Sequence, residues 1–176
     1  MRKEYIQLVK QLKRAKRYFE IDEIRTISMQ LAAIPDESAH RELYRMAKPS
    51  WCWFTMGFVE DFITRDCQTI AYKVLAETGT KRAIDFLTSS LAAKRHRAAV
   101  ERERAAIEEE GEANFDTSGY DHYMMMDYVG EIRGRQADRE FRRRVVEESL
   151  STLEICAEKA RETYEQKQQQ ATMDRK

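Results

Sequence analysis

Glu37 and His40 stand three residues apart, the spacing that lets a carboxylate and an imidazole on one helix turn converge on a single metal ion. A helical di-metal site needs a second such pair, and neither His96, with Ala93 at that offset, nor His122, with Gly119, supplies one. The sequence therefore assigns no metal residues, and His40 is expected on the surface of a short helix. Asp116, Asp121 and Asp127 are a second formal cation set, but the glycine and terminal glutamate of a calcium loop are missing. Phosphate cradles need closely spaced glycines, and the six glycines of this chain are scattered. Nucleophilic catalysis needs a serine or cysteine beside a histidine and an orienting acid, and no local signature marks such a set. The reading is of a non-enzymatic protein with no catalytic residue and no cofactor.

The segment holding Tyr120, Asp121, His122, Tyr123, Met124, Met125, Met126, Asp127 and Tyr128 is the most unusual local composition. Flexible, polarizable methionines beside amphipathic tyrosines suit an adaptable protein interface. The same side chains could instead cover the core where long helices leave a gap. Two basic stripes are the other candidates. Lys10, Lys13, Arg14 and Arg17 share one face of the first helix, and Arg135, Arg139, Arg142 and Arg143 lie along the last, beside Arg133 and Arg144. Such stripes neutralise phosphates in a sequence-tolerant, salt-sensitive way. Glu147, Glu148 and the run Glu108, Glu109 and Glu110 are close enough in sequence pattern to pair with the second stripe instead. Membrane binding by the first helix is disfavoured, because its apolar face suits a protein core equally well.

The elements that must carry these groups are helices. In 176 residues, 42% are apolar, 35% charged, and only two are proline. Thirty-one basic and 31 acidic residues cancel, which removes any argument from overall charge. Three cysteines without C-x-x-C spacing fit a reducing, cytoplasmic setting, and no apolar run reaches the roughly 20 residues of a membrane span. Tyr5, Leu8, Leu12, Ala15 and Phe19 alternate three- and four-residue steps and form the apolar stripe of the first helix. Ile24, Ile27, Leu31 and Ile34 repeat the pattern, either continuously or after a restart capped by Asp22, up to Pro35. Asp36 caps a short helix holding Leu43 and Tyr44.

Ser50 caps a central helix over 51–78, whose first half carries Trp51, Trp53, Phe54, Phe58, Val59 and Phe62. Gly79 and Thr80 then make a tight hairpin into a helix over 81–110, which packs through Ile84, Leu87 and Leu91. An irregular stretch over 111–128 precedes a last helix from about residue 131, with Val146, Leu150, Leu153, Ala157, Ala160 and Tyr164 in heptad-like spacing. The expectation is an all-α, single-domain bundle of five or six helices over 1–165, with long N- and C-terminal helices and a disordered tail over 166–176. Its function is expected to be that of a helical adaptor or regulator. The partner is a protein, with nucleic acid as the alternative and homo-oligomerisation open.

Overall fold

The structure, a computed structural model, describes the backbone of residues 2–35, 37–48 and 59–174 and the side chains of 4–35, 39–48 and 65–174. Among the described residues the chain is all-helical, with no strand. It comprises α1 (Arg2–Tyr18), α2 (Ile21–Ala33), a 3-10 turn (Glu37–His40), α3 (Arg41–Ala47), α4 (Val59–Thr78), α5 (Lys81–Ala113) and α6 (His122–Met173). The expected caps at Asp36 and Ser50, the side chains of the run from Trp51 to Phe62 and the thiol of Cys52 lie outside the described residues. The helices form an all-α bundle of the expected helix number, arranged as two compact units. One comprises residues 1–89 with 152–176, the other 90–151, and α5 and α6 contribute to both.

In the first unit, α2 packs on α1 and α4, and α3 packs on α4. The apolar periodicities explain why: Leu12 and Ala15 of α1, Ile24, Ile27 and Leu31 of α2, and Leu43, Tyr44 and Met46 of α3 are all buried. From α4 the buried set includes Ile70, Ala71, Val74 and Leu75, and from α6 Leu153, Ala157 and Ala160, three members of the heptad pattern. Each fully enclosed leucine contributes about 1.5–3 kcal/mol. The Tyr72 hydroxyl donates to the Ala47 carbonyl at 3.0 Å, fixing the end of α3 on α4. The Tyr44 ring meets Phe86 edge-on at 5.1 Å and lies under the Arg82 guanidinium.

The α4–α5 turn follows the sequence pattern. Gly79 takes φ +52°, and the Thr80 hydroxyl accepts the Ala83 N–H at 3.2 Å. A Cβ at position 79 would stand 2.7 Å from the Thr163 methyl and 3.1 Å from its backbone carbonyl carbon. Gly79→Ala is therefore expected to cost about 2 kcal/mol, combining left-handed strain with a clash against the Thr163 methyl and a tight approach to its backbone. Urea unfolding checks this; a midpoint equal to wild type would show that the hairpin is not held against α6.

Three expectations are corrected. Phe19 leaves the apolar stripe. It takes φ +60° and is 50% exposed, because α1 ends in a Schellman turn in which the Glu20 N–H donates to the Ala15 carbonyl at 3.0 Å. His40 is 3% exposed rather than on the surface, and its Nε2 bonds the Ile34 carbonyl at 3.2 Å, closing the loop that Pro35 opens. The last helix starts at His122 and runs for 52 residues to Met173, taking in 122–128 of the segment expected to be irregular and most of the expected tail, while 114–121 form the turn before it. At its far end the Lys167 ammonium donates to the Thr78 carbonyl at 2.6 Å.

Candidate protein-interaction site

The second unit presents the Tyr- and Met-rich segment, and its geometry begins with two aspartates. Asp116 Oδ1 accepts the Ser118 N–H at 2.9 Å, and the Tyr120 N–H donates to Thr117 at 3.0 Å, so the chain reverses in a tight turn after α5. The Ser118 backbone N–H, and then its hydroxyl, hold the Asp116 carboxyl below its ordinary value. Asp121 is the N-cap of α6: its Oδ1 accepts the Met124 N–H at 2.8 Å, while its carbonyl accepts the Met125 N–H. Both carboxylates are thus occupied by backbone, and among the described residues no group of three His, Cys, Asp or Glu side chains is placed to hold a metal ion.

Aromatic rings lock this turn. Phe115 stacks on Tyr128 with centroids 4.8 Å apart, and Tyr120 meets both edge-on, at 5.9 Å from Phe115 and 5.7 Å from Tyr128. Such pairs each contribute about 0.5–1.5 kcal/mol beyond the area they bury. The segment therefore divides in two. Met125 and Tyr128 are half-buried on the inner face, whereas Tyr123, Met124 and Met126 are exposed, Tyr123 to 80%. His122 is exposed, with its ring edge-on to Tyr123 at 5.9 Å. Helical geometry explains the division: Tyr123 and Met126 share one side of the first turns, and Met125 and Tyr128 the other.

The basic stripes have different fates. Arg139 is 7% exposed and grips the Glu112 carboxylate with both terminal nitrogens, at 2.9 and 2.7 Å, with Glu108 at 3.7 Å and Glu109 at 3.9 Å beside it. Arg135 reaches Glu112 at 3.5 Å, Arg142 lies 4.0 Å from Glu108, and Arg143 pairs with Glu147 at 3.7 Å. The Arg139 guanidinium holds the Glu112 carboxyl below its ordinary range, and Glu112 reciprocally raises Arg139. Arg139 is thereby a structural clamp of the second unit, unavailable to an external phosphate. Glu112, which completes it, falls outside the acidic run that the sequence pattern singles out. By contrast Lys10, Lys13, Arg14 and Arg17 are exposed on α1 and form no ion pair with a described residue.

His96 is exposed, and Cys67 and Cys156 are buried free thiols whose pKa values burial pushes up, which disfavours the thiolate a nucleophile needs. No helix among the described residues is long and apolar enough to cross a membrane. Comparisons with protein-family models, characterised proteins and solved structures find no match to this chain.

Proposed function

We propose that this chain is a non-enzymatic helical adaptor that docks a protein partner on the exposed first turns of α6. The observation that carries the reading is the exposure of Tyr123, Met124 and Met126 on a turn already rigidified by the Asp121 cap and the Phe115–Tyr120–Tyr128 stack. An exposed apolar group on a preorganised stem loses little conformational entropy on binding, so more of its burial free energy appears as affinity. Methionine side chains adapt to the partner's relief, and tyrosine supplies contact area at low entropic cost. His122 at the rim adds a polar contact.

Replacing Tyr123, Met124 and Met126 together by serine is expected to abolish capture of the partner while changing stability by no more than about 0.5 kcal/mol per site, since all three are exposed. Affinity capture alongside thermal melting checks both halves. A melting loss of the size caused by core truncation would mean that the three side chains belong to the packed interior. Undiminished capture would move the interface elsewhere.

A second reading is nucleic-acid contact, and the α1 face favours it. The four exposed cations there lack intramolecular ion pairs among the described residues, while the arginines of α6 are largely committed to glutamates.

A further inference from the structure

The end of α1 combines a basic face with two exposed aromatic rings. Lys13, Arg14, Arg17 and Tyr18 line one shallow hollow, and Tyr18 is 60% exposed. Phe19 follows at once, in the position of the Schellman turn where glycine is the default. A phenylalanine there carries left-handed strain, which a buried ring would offset by packing. Phe19 is instead half exposed. Strain retained without enclosure is the pattern of a side chain kept in place for contact with something outside the fold.

From this we infer that the α1–α2 elbow is a binding surface for single-stranded nucleic acid, with Tyr18 and Phe19 as stacking platforms and Lys10, Lys13, Arg14 and Arg17 tracking the phosphates. The inference rests on the nucleic-acid reading of α1 and narrows it. A cationic track ending in exposed rings is the chemistry that single strands require, because every unpaired base offers a flat face and every linkage a negative charge. A duplex offers the charge but keeps its bases stacked on one another. An anionic membrane fits less well: an interfacial helix needs its apolar stripe free, and that of α1 is spent on the core through Leu12 and Ala15.

Fluorescence anisotropy of labelled 20-nucleotide oligo-dT and oligo-U, and of a 20-base-pair duplex, titrated from low to physiological salt, tests this on the full chain. The single strands are expected to bind more tightly than the duplex. Phe19→Gly, which suits the left-handed turn, should weaken single-strand binding about tenfold with the salt slope unchanged. Its melting temperature should equal or exceed that of wild type by about 2–4 °C. Lys13→Glu with Arg17→Glu should weaken binding and flatten its salt dependence. Equal affinity for duplex and single strand, with no effect of Phe19→Gly, would overturn the stacking inference and leave a basic-face reading standing. No binding of any oligonucleotide at low salt would overturn both. Cosedimentation with phosphatidylserine vesicles but not with oligonucleotides would overturn it in favour of a lipid surface, and a Phe19→Gly variant melting several degrees lower would reduce the ring to a packing element.

Discussion

Leu75→Ala is expected to destabilise the protein by about 2–5 kcal/mol and to lower its melting temperature by about 5–15 °C. Leu75 is fully enclosed on α4, the helix on which both α2 and α3 pack, so the atoms removed lose their transfer free energy and leave a cavity that three elements must close together. Ile107→Ala is the matched control: Ile107 is largely exposed, and its truncation should stay within about 0.5 kcal/mol. Calorimetry of the two variants measures the contrast. Similar melting points would show that α4 does not organise the first unit.

Arg139→Ala is expected to strip hydrogen-exchange protection from the second unit, around residues 105–115 and 132–142, while leaving residues 65–89 protected. Arg139 supplies two hydrogen bonds to Glu112, and its removal leaves that carboxylate with Arg135, at 3.5 Å, as its ion-pair partner among the described residues. Few apolar side chains are buried in residues 90–151, so the ionic clamp carries a large share of what holds α5 to α6 there. The double variant Arg139→Met with Glu112→Leu should recover protection, because a matched apolar pair leaves no orphaned charge. Acid has a related effect. The folded pKa of Glu112 is depressed below its ordinary 4.5, so its contribution is complete above that value and is lost as the pH falls toward the depressed one. Protection in this unit, corrected for the intrinsic pH dependence of amide exchange, should fall over that acid range in the wild type and not in the double variant. Uniform loss of protection across both units would contradict the clamp.

Helical periodicity made most of the fold legible. The stripe through Leu12 and Ala15, the stop before Pro35 and the Gly79–Thr80 hairpin each depend on one residue's neighbours along the chain, and each is where the pattern puts it. What the sequence hid depends on partners distant in the chain or on competing local rules. Phe19 fits the apolar spacing, yet the left-handed turn rotates it outward. His40 looked polar and superficial until the chain reversal brought the Ile34 carbonyl to its ring. Glycines and aspartates over 111–128 suggest irregular chain, but Asp121 with the amide of Met124 is a helix start, and Gly130 and Gly134 sit inside the helix with open space around them. At the other end, Gln, Lys and Glu propagate a helix already nucleated, one hydrogen bond per residue, without an apolar stripe. The arginine stripe was visible as charge; that Glu112 and Glu108 neutralise its centre was a matter of how α5 and α6 pair within the second unit.

The most direct test of the adaptor reading is site-specific photocrosslinking in cells, with benzoylphenylalanine placed at Tyr123 and, as the control, at Ile107, another exposed apolar position of the same unit. One discrete protein adduct is expected from position 123, absent from position 107 and lost when Met124 and Met126 are serine. The same adducts from both positions, or an adduct from 123 indifferent to the methionines, would contradict it.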